Sequence, residues 1–383
     1  MEVRRVTWKE VVESVGFRKE IIQLARQPGV NVRELCRRFK VSPKTVYKWM
    51  RRYQQEGEEG LENRPRRPHR SPRRTAVGME RQILAMHKKY HWSARKIGAR
   101  LQALGNSTVP ATSSIHRLLQ RNGLIERSES SKHQAWRRFE HEAPNQLWQM
   151  DFKGWFPTND GARCHPLTVL DDHSRYVVCL ESCANQQGET VKSMLIETFR
   201  RYGLPERMTM DNGSPWGGDD GAGYTPLTAW LIRLGIGVSH SQPYHPQTQG
   251  KDERFHRTLG VELLRWHQFR NLEEVQRRFE SYRQIYNQER PHEALSMNVP
   301  ASRYRISPRH FPETLPAIEY DSGDAIRMVQ IKGYIAYRGR RFLVGKAFRG
   351  HPVAVRATAA DGVLDIYFCH QRVQQIDLRE SRT

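Results

Sequence analysis

Apolar and polar residues alternate along this chain with different periods, and the periods divide it into three parts. In the first part apolar residues such as Phe17, Ile21 and Leu24 recur every three or four positions, which predicts amphipathic helices. In the middle part, short apolar runs such as 147–152 and 237–240 predict strands, and these alternate with helical patterns. The last part contains short strand-like segments separated by Gly and Asp-Gly turns, which predict a small all-β unit.

The helical part begins with a unit whose last helix has a polar, basic outer face. Ser42 is a suitable N-cap for this helix, and Pro43 fits its first position. Helical spacing predicts that Val46, Met50 and Tyr53 are buried. A helix-turn-helix unit places such a helix in the major groove of DNA, whereas an ordinary three-helix bundle would leave the same face in solvent. The residues predicted to face DNA are Lys44, Thr45, Tyr47, Lys48 and Arg51.

A second unit between residues 77 and 125 repeats this layout. Ser93 is predicted to cap one helix, and Ile115, Leu118 and Leu119 are predicted to form the buried side of the next. We therefore expect a second helix-turn-helix unit. Its predicted DNA contacts are Ser113, His116, Arg117 and Gln120.

The segment RPRRPHRSPRR joins the two units, and its six Arg and three Pro cannot bury a core. It should be an extended linker. Arg-rich arms of this kind can lie in a narrow minor groove, and a passive tether is the alternative. The predicted contacts are Arg64, Arg66, Arg67, Arg70, Arg73 and Arg74.

Charge strengthens the expectation of a nucleic-acid partner. The formal net charge is +22, and residues 1–75 contain twenty Lys/Arg against nine Asp/Glu, so half of the net charge lies there. Five scattered cysteines, an odd number, argue against a secreted disulfide framework. The sequence has no apolar run of membrane-span length and no signal-peptide core at its N-terminus. We expect a soluble cytoplasmic protein without a membrane partner.

Three acidic residues of the middle part stand in different local settings but suit one chemistry. Asp151 and Asp211 both lie where an apolar strand gives way to turn-forming residues, so one sheet edge can present both carboxylates. Glu253 lies at a predicted helix start. Mg²⁺ and Mn²⁺ prefer oxygen ligands, and two such ions held by shared carboxylates promote in-line attack at phosphorus. The sequence therefore predicts a phosphoryl-transfer site with two Mg²⁺ (or Mn²⁺) ions.

Five ordered motifs give this site a family context: APNQLWQMDF, LTVLDDHSRYVV, MTMDNGSPW, QPYHPQTQGKDERFHRTL and YNQERPHEAL. On these motifs the chain resembles bacterial insertion-sequence DDE transposases, whose catalytic core is shared with retroviral integrases. The resemblance covers roughly residues 126–304. It implies a ribonuclease-H-like core in which Asp151, Asp211 and Glu253 are the catalytic and metal-binding residues.

Some features depart from the family pattern or leave a choice open. The 41 residues between Asp211 and Glu253 exceed the usual family spacing, and the Gly-rich stretch WGGDDGAGYTP, predicted to be a mobile loop, accounts for the excess.

Asp252 competes with Glu253 as the third acidic ligand, because helical spacing places Asp252 nearer the buried side of its helix. Glu253 is chosen on family alignment. Asp172 is a further candidate ligand, although shaping a turn is the favoured interpretation. The predicted buried side of the helix is Phe255, Leu259, Leu263 and Trp266.

The resemblance implies a DDE-type polynucleotidyl transferase acting on double-stranded DNA. Water would cleave the terminal inverted repeats of the element, and the freed 3′-hydroxyl would attack target DNA. Lys251 and Arg254 are predicted to hold phosphates, with Asn212 and Ser214 beside the scissile strand.

Two ends of the element must be brought together, so we expect a homo-oligomer, at least a dimer, associated with the nucleoid. A catalytically silent, domesticated DNA-binding regulator is the alternative; a simple ribonuclease H would give the helix-turn-helix units no role.

The predicted fold class is multidomain. It combines N-terminal all-α helix-turn-helix units, a central α/β ribonuclease-H-like mixed sheet and a C-terminal small all-β SH3-like barrel. The predicted boundaries are 1–55 (first helix-turn-helix), 56–76 (linker), 77–125 (second helix-turn-helix), 126–143 (connector), 144–305 (catalytic core), 306–322 (linker) and 323–383 (barrel).

Overall fold

The computed structural model describes residues 14–64, 75–125, 140–218, 223–240 and 250–379. The chain divides into two compact units, Met1–Arg74 and Thr75–Thr383. Their boundary falls inside the predicted linker 56–76, and the finer boundaries remain predictions. No helix in the described ranges is long and apolar enough to cross a bilayer.

The first unit contains three described helices around a small core. They are α1 (Val15–Ala25), α2 (Val32–Arg38) and α3 (Pro43–Glu56), followed by a 3₁₀ turn at Gly57–Leu61. The Ser42 side chain accepts a hydrogen bond from the Thr45 backbone N–H (3.2 Å), which confirms the predicted cap. The predicted buried side of α3 is partly wrong, because Trp49 is buried beside Val46 while Met50 and Tyr53 are only partly covered.

The second unit begins with another helical domain. It consists of α4 (Val77–Tyr90), α5 (Ala94–Ala103) and α6 (Thr112–Arg121). Helix α6 buries Ile115, Leu118 and Leu119, as predicted. Ser93 occupies the N-cap position of α5, but its side chain makes no capping hydrogen bond there.

A six-stranded mixed sheet forms the centre of the second unit. Its strands are β1 (Leu147–Phe152), β2 (Phe156–Pro157), β3 (Arg163–Asp171), β4 (Val177–Cys183), β5 (Arg207–Met210) and β6 (Gly237–His240). The order is β2-β3-β1-β5-β6, and β4 pairs with β3. Strands β1, β3 and β4 are antiparallel neighbours, whereas β5 is parallel to both β1 and β6.

Helices cover both faces of this sheet, which gives the ribonuclease-H-like arrangement predicted for the core. On one face α7 (Gly188–Tyr202) and α8 (Pro226–Arg233) pack against Trp148 and Met150 of β1. On the other, α9 (Gly250–Glu262) and α10 (Leu272–Gln288) pack against Leu170 and Leu180. Helix α9 ends at Glu262, so Trp266 lies beyond it and is half-exposed, contrary to the predicted buried position. The Trp266 ring instead stacks on His91, with ring centroids 4.1 Å apart.

The C-terminal part forms two small sheets. Strands β7 (Ala325–Met328), β10 (Pro352–Ala357), β11 (Val363–Phe368) and β12 (Gln371–Asp377) make a four-stranded sheet in the order β12-β11-β10-β7. Strands β8 (Tyr334–Tyr337) and β9 (Arg340–Leu343) pair with each other. The predicted SH3-like barrel is not confirmed, because the described strands do not close: β8 and β9 form a separate hairpin instead of joining β7 to β12.

Candidate catalytic site

The parallel pairing of β1 with β5 brings the first two acidic residues together. Leu147 pairs with Arg207 and Gln149 with Thr209, so the same register continued by two residues puts Asp151 across from Asp211. Neighbouring strands lie about 4.8 Å apart. The two carboxylates therefore stand side by side where both strands end, as the strand-to-turn positions predicted.

The Asp151 carboxylate lies in a site that disfavours its negative charge. The pKa of Asp151 is raised to about 6, chiefly by burial and also by the charge of Asp211. The Phe152 backbone N–H, which donates a hydrogen bond to Oδ1 (2.8 Å), opposes this rise. A pair of carboxylates that repel each other in a partly desolvated place is stabilised by a cation between them.

The loop after Asp211 is fixed against the end of β1. The Asp211 Oδ1 accepts a hydrogen bond from the Gly213 backbone N–H (3.1 Å). Farther along the loop, the Trp216 ring stacks on Phe152, with centroids 5.6 Å apart. A side chain at Gly217 would place its Cβ 2.0 Å from the Asn212 carbonyl oxygen, so this turn requires glycine. Asp219 and Asp220 of the Gly-rich stretch lie outside the described residues.

Asp252 and Glu253, the two candidates for the third acidic ligand, differ in burial. Asp252 is fully buried on the sheet-facing side of α9 with Phe255 and Leu259, whereas Glu253 is exposed. Neither carboxylate oxygen of Asp252 has a hydrogen-bond partner. Burial, followed by the charges of Asp151 and Asp172, raises the pKa of Asp252 well above its usual range.

The third member of the triad therefore remains a prediction. Within the described ranges, no group of three or more His, Cys, Asp or Glu side chains is arranged so that it could hold a metal ion. Asp151 and Asp211 form a pair of oxygen ligands of the type that Mg²⁺ and Mn²⁺ accept. The exposed side chain of Glu253 lies in the first turn of α9 and would have to turn toward the pair to complete a site.

Asp172 joins the turn after β3 to β1 and α9. Its carboxylate accepts hydrogen bonds from Gln149 Nε2 (2.8 Å), the His141 backbone N–H (3.0 Å) and the Lys251 ammonium. These contacts support the turn-shaping role favoured for Asp172. Lys251 points inward and is largely buried by this pair, so the predicted phosphate contact of Lys251 would require the pair to open. Arg254, Asn212 and Ser214 are exposed, and their predicted DNA contacts remain predictions.

Sequence reasoning did not single out His256, which lies one turn after Asp252 on α9. Its Nε2 is 2.8 Å from the Thr168 hydroxyl, and its Nδ1 is 3.9 Å from Asp151 Oδ2. Burial, followed by the charge of Lys153, lowers the pKa of His256 to about 4. The imidazole is therefore neutral at neutral pH. An apolar stripe pattern gives no signal for such a residue, because its partner lies 88 positions away in the sequence.

The predicted DNA-facing side of the first helix-turn-helix unit is largely exposed. Lys44, Tyr47, Lys48 and Arg51 are exposed, whereas Thr45 is half-buried and its hydroxyl is 2.7 Å from that of Ser42. Of the arginines predicted to contact DNA from the linker, Arg64 pairs with Glu56. The others lie outside the described residues: Arg66, Arg67, Arg70, Arg73 and Arg74.

The second helix-turn-helix unit presents its predicted contacts on a concave surface. Ser113, His116, Arg117 and Gln120 are exposed. The first three line an open groove of about 500 Å³, together with residues at the start of α5, including Arg95. Helix N-termini favour phosphate through their free backbone N–H groups. The sequence reasoning missed Arg95, which stands at the second position of α5.

The sheet order, with helices on both faces, is the ribonuclease-H-like arrangement expected for the core. Family models agree, since residues 141–246 and 234–300 match two models described as "Integrase core domain". Residues 17–69 match "Helix-turn-helix domain" and residues 45–119 match "Homeodomain-like domain". Residues 324–383 match "IS481 family transposase, C-terminal domain".

Individual relatives point the same way. The chain is 28% identical over 159 residues to an uncharacterized 31.7 kDa protein of insertion element IS407 from Burkholderia multivorans, covering 42% of this chain and 55% of that one. It is 28% identical over 158 residues to an uncharacterized 39.2 kDa protein of insertion element IS476 from Xanthomonas euvesicatoria, covering 41% and 44%. The chain thus spans about half the length of these curated relatives. Together the matches confirm the predicted resemblance to bacterial insertion-sequence transposases with an integrase-like core.

Among solved structures, the chain is similar to an intasome of simian T-cell lymphotropic virus in complex with PP2A regulatory subunit B56 gamma. The identity is 15%, the match covers 78% of this chain and 96% of that one, and the TM-score is 0.37. A likeness this weak supports no inference about the site.

Proposed function

We propose that this chain is a DNA transposase that cleaves the terminal inverted repeats of its insertion sequence and joins them to target DNA. The adjacency of Asp151 and Asp211 at the ends of two parallel strands carries this proposal. With Glu253, they would hold two Mg²⁺ or Mn²⁺ ions. When bound, such ions stabilise the charge on the attacking and leaving oxygens of an in-line displacement.

The chain's own residues would position the reacting strands. Asp151 and Asp211 fix the sheet side of the site, and Glu253 on α9 would approach it from the opposite side. The exposed Arg254 would bind a backbone phosphate, with Asn212 and Ser214 next to the scissile strand. Positioning and electrostatics do most of the work in phosphoryl transfer, so no covalent protein intermediate is needed.

The two helix-turn-helix units would supply recognition of the element's ends. The exposed basic side chains of α3 and α6 suit the major groove, and the Arg-rich linker between them suits the phosphate backbone. Because two ends must be brought together, the active form would be a homo-oligomer, at least a dimer, acting on nucleoid DNA in the cytoplasm.

A strand-transfer assay tests the proposed function. Duplexes carrying the inverted repeats that flank the coding sequence are incubated with the protein and Mg²⁺, and cleaved and joined products are counted. Asp151→Asn and Asp211→Asn should each lower product formation at least about 1,000-fold, while binding to the repeats stays within about twofold. An Asp361→Asn variant is the matched acidic control, because Asp361 is exposed in a turn of the C-terminal part, and it should keep full activity.

Two outcomes would contradict the proposal. One is an Asp151→Asn protein that cleaves and joins like the wild type. The other is a wild-type protein that cuts the RNA strand of an RNA–DNA hybrid but leaves the element's ends intact, as a simple ribonuclease H would.

A further inference from the structure

Thr168 joins His256 to the strand that carries Asp151. Thr168 pairs with Asp151 across β1 and β3, and its hydroxyl donates a hydrogen bond to the Asp151 backbone carbonyl (3.0 Å). The same hydroxyl lies 2.8 Å from His256 Nε2, which is a hydrogen-bonding distance. His256 on α9 is therefore linked through Thr168 to the backbone of Asp151.

The other ring nitrogen lies too far from the Asp151 carboxylate for a hydrogen bond. The distance from His256 Nδ1 to Asp151 Oδ2 is 3.9 Å. Oδ1 of the same carboxylate accepts a hydrogen bond from the Phe152 backbone N–H (2.8 Å). His256 therefore contacts Thr168 through Nε2 without occupying Asp151 Oδ2.

We propose that His256 is a positioning residue for Asp151: its Nε2 holds Thr168 and, through Thr168, the end of β1, while Asp151 Oδ2 stays available to a divalent cation. His256 would act on the reaction only through Asp151, in the way that outer residues orient metal ligands. The proposal rests on the proposed function, because it assigns Asp151 to a cation site.

Two substitutions separate the two nitrogens. His256→Gln places an amide N–H near the position of Nε2 and should keep the hydrogen bond to Thr168. His256→Asn places its amide near Nδ1 and should lose that bond. His256→Ala removes both ring nitrogens. Thr168→Val removes the hydroxyl while keeping a β-branched side chain. His267→Gln is the control, because His267 contacts the Leu263 carbonyl (3.0 Å) and not Asp151.

Mn²⁺ affinity of the full-length protein, measured by calorimetry without DNA, is the main readout, and thermal melting checks that each variant is folded. His256→Ala, His256→Asn and Thr168→Val should each weaken Mn²⁺ binding by about 10- to 100-fold. His256→Gln should recover most of the affinity, and His267→Gln should match the wild type. The double variant Thr168→Val/His256→Ala should be no weaker than either single variant, because both remove the same contact.

The inference is overturned if folded His256→Ala binds Mn²⁺ within twofold of the wild type. It is also overturned if the loss of Mn²⁺ affinity in the double variant equals the product of the losses in the two single variants. Asp151→Asn, measured alongside, keeps this failure distinct from failure of the proposed function. If Asp151→Asn abolishes Mn²⁺ binding and strand transfer while His256→Ala leaves both intact, only the role of His256 is wrong. If Asp151→Asn changes neither, the cation site itself is wrong.

Discussion

Burial disfavours the negative charge of Asp151, whereas the proposed chemistry requires that charge. The carboxylate side chain is 27% exposed, and burial raises its pKa from an ordinary 3.8 to about 6. Catalytic carboxylates held in this way lower the stability of the protein that contains them. This loss of folding stability should be measurable in the metal-free protein.

Asp151→Asn should raise the free energy of unfolding by about 1–3 kcal/mol near pH 7.5. A carboxyl with a raised folded-state pKa binds its proton more tightly when folded, so wild-type stability falls as pH rises from about 4 to about 6 and stays lower above that range. The Asn side chain keeps the acceptor for the Phe152 N–H. Chemical denaturation at two pH values measures the effect: a clear gain near pH 7.5 and little gain near pH 4. A variant less stable than the wild type near pH 7.5 would contradict the account.

On α9 the sequence predicted which residue is buried but not what surrounds that residue. The apolar spacing correctly indicated that Asp252 lies nearer the buried side, with Phe255 and Leu259. Spacing could not show that the Asp252 carboxylate has no partner, because that depends on which groups of β1 and β3 face the helix. His256 escaped notice for the same reason, since Thr168 and Asp151 reach it only through the fold.

Helix α9 is fixed at the end opposite Glu253 by a buried ion-pair network. Its last residue, Glu262, accepts hydrogen bonds from Arg290 at 2.8–3.0 Å and from the Tyr282 hydroxyl at 3.3 Å. Lys96 of the second helix-turn-helix domain lies 3.8 Å from the same carboxylate. Close by, Arg100 pairs with Glu289 (3.0 Å). The network ties the second helix-turn-helix domain to the helix that carries Glu253.

Removing each of the two cations beside Glu262 should change stability in opposite directions. Arg290 and Glu262 are both nearly inaccessible, so Arg290→Met removes the hydrogen-bonded partner of a buried carboxylate and leaves only Lys96, 3.8 Å away. It should lower the free energy of unfolding by about 3–5 kcal/mol. Burial, followed by the charge of Arg290, lowers the pKa of Lys96 to about 8. Lys96→Met should therefore raise the free energy of unfolding near pH 7 by about 1–3 kcal/mol.

The pH dependence separates this effect from better packing of methionine. The folded wild type carries a disfavoured charge on Lys96 below about pH 8, and the penalty disappears as pH rises to about 10.5, where the unfolded lysine also loses its proton. The gain from Lys96→Met should shrink over that range, as followed by denaturant titration. Equal destabilisation by both substitutions, at every pH, would contradict the assigned network.

At the scale of the molecule, the C-terminal sheets and the catalytic core share one apolar cluster. Ile335, Phe348 and Phe368 belong to the same buried group as Trp148 and Phe199 of the core. The Gln371 side chain also bonds both backbone groups of Val238 at the edge of β6 (2.7 Å each). The C-terminal part is therefore built onto the core and covers its sheet edge, which natural sheets need.

The sequence predicted most core elements but not how the last strands assemble. Strands 147–152 and 237–240 match the prediction, because each is an apolar run between turn signals. In the C-terminal part the strands were expected from the same signals, but the described strands do not form the predicted closed barrel. Closure depends on which edges pair, and residues such as Ile335 and Gln371 meet partners from the distant core instead.

The most direct test of the central claim is the position of Mn²⁺ in crystals of the protein bound to a duplex carrying its element's end, located by anomalous diffraction. The account predicts ions about 2.1 Å from carboxylate oxygens of Asp151 and Asp211, with the Glu253 carboxylate turned inward onto one of them. Anomalous peaks elsewhere, or no ion between Asp151 and Asp211 while Glu253 still faces solvent, would contradict it.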